Sequence, residues 1–310
     1  MITSVCLNPC IDQSIRIASF TYGGMNRVSA SRADAGGKGV NVAIAAAQIG
    51  MESECIGFLA EDNNSIIYRQ LLKYGVKSDF VSCEGRVRTN IKLLDESRNV
   101  VTEINESGTP VSEKQLQEMT DLFYAHAQDS DFLVLSGSMP PGCPKNYYAT
   151  LIEAASGLPC RCVLDADREA LNEGLKAKPF MIKPNLFELE TAVGYSLDSI
   201  DSVKEAALRM IDKGVEIVVV SMGAQGALIT DGKVTYTAPR LQVPVRSTVG
   251  AGDSMVAGLI AGFMAEKELD EVFAMGIAGA TACVMTDGTM PLEKAQYKAL
   301  IGQVQVQKAK

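Results

Sequence analysis

The chain has 310 residues, 47% of them hydrophobic and 21% charged, with a net charge of −8. That is ample for a large core, and α/β enzymes of this length are often a single domain. The acidic balance argues against nucleic acid or an anionic membrane surface as the main partner, and no apolar run reaches membrane-spanning length.

From the amino terminus, apolar runs alternate with segments of helical period. Strands are expected over 2–7, 53–59, 80–83, 132–135, 161–164, 180–182 and 217–220. Helices are expected over 38–48, 65–73, 113–128, 146–155 and 202–213, with Gly174, Gly194 and Gly214 as stops. This alternation predicts an α/β fold with a parallel sheet covered by helices on both faces. Two stretches, 12–34 and 86–105, instead show β-like alternation without helices. They read as a small sheet standing off the core, or as two ordinary hairpins. No repeat or low-complexity linker interrupts the chain.

The eight cysteines lack C-x-x-C spacing, so buried free thiols are expected rather than a zinc site. His126 is the sole histidine and falls in a polar-flanked helix, where a surface role is expected. Mechanisms built on a histidine base or a multi-histidine metal site are therefore nearly excluded. Proton transfer falls to carboxylate, lysine, tyrosine or cysteine. Residues 1–5 lack a charged n-region with an apolar signal core, which points to a cytoplasmic location.

In open α/β sheets ligands gather beyond the carboxyl ends of the strands, and several polar clusters sit there. Asp12 follows the first strand, where a carboxylate can accept hydrogen bonds from two sugar hydroxyls. Ala35-Gly36-Gly37-Lys38-Gly39-Val40-Asn41 is glycine-rich and carries one cation. Its glycines let a ligand approach the backbone, Lys38 can neutralise a phosphate and Asn41 can hold a sugar hydroxyl. It is not a Walker A loop, because Gly39 stands where the metal-binding Ser or Thr belongs. Arg27 and Arg88 lie in the two off-core stretches, and the guanidinium fork suits phosphate. Each taken alone reads first as a solvated surface charge.

Further along, Ser136-Gly137-Ser138-Met139-Pro140-Pro141-Gly142 is a turn that either supports the site, with Ser136 or Ser138 near a sugar, or is purely structural. Asp165 and Asp167 follow a strand end, and no catalytic part is assigned to them. In Lys183-Pro184-Asn185-Leu186-Phe187-Glu188, the N-x-x-E spacing lets Asn185 cap a helix. After another strand, Ser221-Met222-Gly223-Ala224-Gln225-Gly226 lets phosphates or a ribose pack against backbone. Finally, Thr248-Val249-Gly250-Ala251-Gly252-Asp253-Ser254 reads as a tight turn opening a buried helix. The exposed N–H groups and helix dipole there favour an anion. Asp253 beside an anion is explained if it takes a proton from a hydroxyl while the turn holds a transferring phosphoryl group. The plainer alternative is an aspartate favoured in a first helical turn by the dipole alone.

The Gly-Gly segment at 35–41 and the Gly-Ala-Gly-Asp segment at 250–253, in that order, resemble the two signatures of the PfkB family of carbohydrate kinases. The resemblance runs from residue 1 to beyond Gly288. It implies a ribokinase-like three-layer sandwich with a mostly parallel central sheet and a small β-sheet lid. The core would comprise residues 1–11, 35–85 and 106–310, and the lid 12–34 and 86–105. It further implies phosphoryl transfer from ATP with Mg²⁺ to a small-molecule sugar phosphate, and a homodimer formed through the lid.

By the resemblance, Asp253 is the base and Gly250, Ala251 and Gly252 form the anion hole. Asp12, Gly36, Gly37, Asn41 and Ser138 surround the sugar, and Lys38, Arg27 and Arg88 fix its existing phosphate. Lys183, Ser221, Gly223 and Gly226 belong to the nucleotide site. Asn185 and Glu188 stand around the metal, mostly through water. The chain departs from the usual pattern at Cys6, Cys10, Met139 and Arg168, which leaves Asp12 untouched.

Within the family, Thr89–Leu93 and Val101–Gly108 resemble the branch that phosphorylates fructose 1-phosphate. Tagatose-6-phosphate and 6-phosphofructokinases of the family share nearly all the other motifs. A nucleoside or ribose kinase would not need the cation cluster, and a catalytically silent sugar-phosphate sensor would not need Asp253.

Overall fold

A computed structural model describes residues 1–309. Its central sheet has ten strands, in the order Gln307–Lys308, Thr235–Ala238, Ala227–Thr230, Ile217–Ser221, Met181–Ile182, Arg161–Asp165, Phe132–Ser136, Ile2–Cys6, Ser53–Asp62 and Lys77–Arg86. Neighbours from Ile217–Ser221 to Lys77–Arg86 run parallel, and the remaining pairs are antiparallel.

Side-chain parity builds the two faces. In Phe132–Ser136, Leu133 and Leu135 join one buried cluster while Phe132 and Val134 join another; Val218 and Val220 split from Ile217 and Val219 in the same way. Strands buried on both faces read as continuous apolar runs, which is why they stand out in the sequence. Glu113–Ala127, Tyr147–Ala154 and Ile200–Asp212 cover the first face. Lys38–Ile49, Ala251–Met264, Leu269–Val284 and Lys294–Ile301 cover the second. The result is the expected α/β sandwich of three layers.

Most expected boundaries agree to within a few residues. Gly194 closes its helix in the left-handed conformation, and Gly214 lies two residues past the end of its own, just after the Lys213 cap. Gly174 differs: it is helical, and the chain continues into a 3₁₀ turn at Leu175–Ala177. A Cβ there would come 2.5 Å from Leu164 Cδ2, so close packing rather than termination accounts for it.

A second sheet of four strands contains Ala30–Gly36, Cys10–Ile17, Arg88–Asp95 and Val100–Asn105, in that order. Because alternate residues share a face, Cys10 and Asp12 stand beside Arg88, Asn90 and Lys92, and these beside Glu103 and Asn105. That face is polar. The opposite face carries Ile11, Ile15, Ile91, Leu93 and Ile104.

His126 is not a free surface residue. Its Nδ1 lies 2.8 Å from Oε1 of buried Glu54, which also accepts from Thr3 Oγ1 at 2.6 Å. The cysteines are all free thiols, with Cys143 and Cys160 part-exposed and the other six buried. Among the described residues, no helix is long and apolar enough to cross a membrane.

Candidate active site

The turn before the Ala251–Met264 helix ends at Gly250, which caps that helix with φ 78°. That left-handed conformation is open to glycine at little cost. The helix behind it is buried on nearly every side, so the cradle rests on a rigid core element. Asp253 sits in its first turn with only 5% of its surface exposed. Its Oδ2 accepts from Asn41 Nδ2 at 2.8 Å. Burial, and then the nearby Asp165 charge, raise its pKa from 3.8 to about 6, against the opposing pull of Lys38, Asn41 and Lys183.

Asp165 ends its strand wholly buried between two ammonium groups. Lys38 Nζ is 3.0 Å from Oδ1 and Lys183 Nζ is 3.4 Å from Oδ2. Burial would raise the Asp165 pKa, but Lys183 and Lys38 outweigh it and hold the carboxyl below its usual range. For Lys38, burial works against the charge, yet Asp165, Asp253 and Glu188 raise its pKa. Lys38 is therefore held charged near Asp253, and the Lys183 ammonium stands beside Gly252 in the first turn of the same helix. Charges and dipoles fixed in advance in this way stabilise a negative group strongly, because they need no rearrangement.

These groups line a polar cleft of about 680 Å³, reached also by Asp12, Gly37, Asn41, Arg88, Ser138, Asn185, Glu188 and Ser221. A second, mostly apolar cavity of about 590 Å³ adjoins it and shares Asn185, Ser221, Thr248 and Gly252 with it. Gly223, Gly226 and Ala251 line this cavity together with Leu241, Val243 and Ile277. Each volume is on the scale of a small-molecule site, roughly 300–1,000 Å³. One polar and one apolar chamber meeting at the helix start suit two ligands that exchange a group there.

Three expected residues stand elsewhere than the sequence suggested. Arg27 is exposed and lines neither cavity. Asp12 pairs with Asp34 near one end of the Cys10–Ile17 ladder, whereas Arg27 lies in the connection beyond its other end, past the Arg16–Ala30 pair. Gly36 is buried against Asp12, and a Cβ there would come 2.7 Å from its carboxylate. It makes room for Asp12 without facing the cleft. Lys38 reaches the cleft, but at Asp165 rather than among the lid cations.

Asn185 and Glu188 form a reciprocal helix cap: Glu188 N donates to Asn185 Oδ1 and Asn185 N donates to Glu188 Oε2, both at 2.8 Å. The N-x-x-E spacing is thus first a capping box. The nearest cation to the remaining Glu188 oxygen, Oε1, is Lys38 Nζ at 3.9 Å. Among the described residues no cluster of three or more His, Cys, Asp or Glu could hold a metal ion.

Arg88 is anchored by backbone, with Nε and Nη2 donating to Asn8 O at 3.1 and 2.9 Å and Nη1 to Glu106 O at 3.1 Å. Its Nη2 also reaches Ser138 Oγ at 3.3 Å. Sequence reasoning missed Lys92, whose Nζ is 3.0 Å from Asp12 Oδ2, and Asn90, whose Nδ2 is 3.4 Å from Asp12 Oδ1. Their alternation on one strand is a signal, but only pairing with Cys10–Ile17 makes it face Asp12. It also assigned no part to Asp165.

The profile of the pfkB family carbohydrate kinases matches residues 6–295. The chain is 39% identical to a 1-phosphofructokinase of Rhodobacter capsulatus, over 84% of this chain and 82% of that protein. It is 32% identical to a 1-phosphofructokinase of Escherichia coli strain K12, over 99% and 98% of the two chains. The solved structure of phosphofructokinase-2 from Escherichia coli in complex with potassium superposes with a TM-score of 0.91 at 28% identity, over 98% of each chain. The chain belongs to the pfkB family of carbohydrate kinases, phosphotransferases that use ATP and an alcohol group as acceptor.

Proposed function

We propose that the chain transfers the γ-phosphoryl group of ATP to the free hydroxyl of fructose 1-phosphate, giving fructose 1,6-bisphosphate and ADP. The observation that carries the chemistry is the buried Asp253 carboxylate, with its pKa raised to about 6, set in the first turn of a helix beside two paired lysines. The substrate reading is supported by relatives named 1-phosphofructokinase that align over most of the chain.

The acceptor hydroxyl lies against Asp253, which removes its proton as the oxygen attacks phosphorus. The Gly250–Gly252 amides, Lys38 and Lys183 hold the charge that builds on the transferring group. In phosphoryl transfer such positioning and charge stabilisation do most of the work. Asp12 accepts sugar hydroxyls and Arg88 and Ser138 meet the polar end of the substrate. The apolar cavity takes the adenine, with Ser221, Gly223 and Gly226 against the ribose and phosphates. Glu188 and Asn185 would hold a Mg²⁺ ion mostly through water, as suits an ion that gives up its hydration reluctantly. When bound, it neutralises phosphate charge.

The four-stranded sheet acts as a lid, and its outer face supports a homodimer contact. Val100 and Ile104 are more than half exposed there, beside Ile91 and Leu93. Sedimentation showing a monomer at working concentration would remove the dimer.

The test is ADP release with MgATP and fructose 1-phosphate, fructose 6-phosphate, tagatose 6-phosphate and ribose in parallel. Preference for fructose 1-phosphate is expected. Preference for a 6-phosphate would keep the mechanism and overturn the substrate, and preference for ribose would overturn the sugar-phosphate reading itself.

A further inference from the structure

The reaction brings two anionic groups into one cleft: the transferring phosphoryl and the phosphate the sugar already carries. They need separate cations. At the floor, Lys38 and Lys183 flank Asp165 and adjoin Asp253. Both belong to the transferring group. Of the lid cations, Arg88 spends most of its N–H groups on the carbonyls of Asn8 and Glu106 and on Ser138. Lys92 is differently placed. Its side chain is 16% exposed, it lines the cleft, and its ammonium has one close partner, Asp12 Oδ2 at 3.0 Å. An ammonium has three donors, so two remain for a ligand.

Strand pairing fixes what lies beside it. Asp12 is in register with Asn90, and Lys92 is two positions further along the same strand on the same face. The lysine stem leans back to bring Nζ onto Asp12. Asn90 Nδ2 meets Asp12 Oδ1 at 3.4 Å, while the buried Asn90 Oδ1 has no partner. An unpaired buried acceptor costs free energy until something donates to it. The lid therefore presents, within one side chain's reach, two acceptors suited to hydroxyls and a cation with donors to spare. That is the complement of a phosphate on a polyol.

We propose that Lys92 is the specificity-determining residue that takes the phosphate already on the sugar, while Asp12 and Asn90 Oδ1 accept neighbouring hydroxyls. This rests on the sugar-phosphate kinase reading and deepens it. Selectivity for phosphorylated over neutral sugar is then set mainly by Lys92, with Arg88 and Ser138 lining the same cleft beside it.

The experiment compares kcat/KM for the preferred sugar phosphate with kcat/KM for unphosphorylated fructose, in the wild type, Lys92→Gln and Lys92→Arg. Inorganic phosphate serves as a competitive probe, and the KM for ATP reports the integrity of the other chamber. The ratio should fall about tenfold to a hundredfold in Lys92→Gln, the range for a hydrogen bond to a charged group. Inhibition by inorganic phosphate should weaken with it, and Lys92→Arg should recover most of the ratio. If Lys92 only orients Asp12, both substrates suffer equally and the ratio stays constant, which overturns the proposal. The wild-type panel is read first and names the sugar phosphate, so a wrong substrate is distinguishable from a wrong role for Lys92.

Discussion

The floor of the cleft and the inner face of the four-stranded sheet are both polar, but they are built differently. On the floor, Asp165, Lys183 and Asp253 are each no more than 5% exposed and are held by one another and by Asn41. On the lid, Glu103 and Asn105 are exposed and Arg88 and Lys92 are only part-buried. Buried charges interact strongly and shift one another's pKa, whereas exposed ones are screened and chiefly steer and select. On the proposed reading, chemistry belongs to the floor and choice of substrate to the lid, and changes to each should fail in different ways.

The largest effect expected of any single change is at the floor. Asp253→Asn should lower kcat by roughly 10²- to 10⁴-fold, the range for a positioned general base. Binding of ATP and sugar phosphate, measured by calorimetry, should persist. Near-normal turnover would remove the base assignment.

Lys183→Met should lower kcat about 10²- to 10³-fold, as loss of one preorganised donor does, with little change in the sugar KM. A variant that instead raised only KM would move Lys183 from the chemistry to recognition.

The floor also depends on the packing of the helix that carries it. A Cβ on Gly279 would come 2.4 Å from Ser254 O, so the Leu269–Val284 helix touches the Ala251–Met264 helix just behind Asp253. Gly279→Val should cost about 1–3 kcal/mol of stability, read as a lowered urea midpoint, and should reduce kcat beyond its effect on folding. Unchanged kcat in the folded fraction would mean that the turn tolerates movement of its helix.

On the lid, Arg88→Ala should raise the sugar-phosphate KM about tenfold, roughly 1.4 kcal/mol, and leave the KM for ATP nearly unchanged. A fall in kcat with KM constant would erase the division between the two regions.

Much of this arrangement is legible in the sequence where the signal is local. The strands buried on both faces are plain, and Gly250-Ala251-Gly252-Asp253 announces both its turn and its carboxylate within four residues. The misreadings come from relations that sequence order hides. Lys38 points to Asp165 across the fold, a partner 127 residues away. Lys92 faces Asp12 only because Cys10–Ile17 and Arg88–Asp95 pair in parallel with Asp12 opposite Asn90. Arg27 carries suitable chemistry on the wrong end of a hairpin. The strands Ala227–Thr230, Thr235–Ala238 and Gln307–Lys308, at the antiparallel end of the sheet, are only two to four residues long, so their periodicity is too brief to read.

The raised pKa of Asp253 has consequences of opposite sign for stability and activity. Folding lifts it from 3.8 to about 6, so the folded state binds more protons than the unfolded one between those values. Stability from this group is present below that window and is lost as the pH rises through it. Activity needs the ionised base and rises over the same range. The most direct measurement is therefore the pH dependence of kcat/KM, which for free enzyme reports the essential base. An acidic limb near pH 6 that is absent from the residual activity of Asp253→Asn is the expected result. A profile flat to pH 5, or a limb that survives in Asp253→Asn, would contradict a buried aspartate poised as the base.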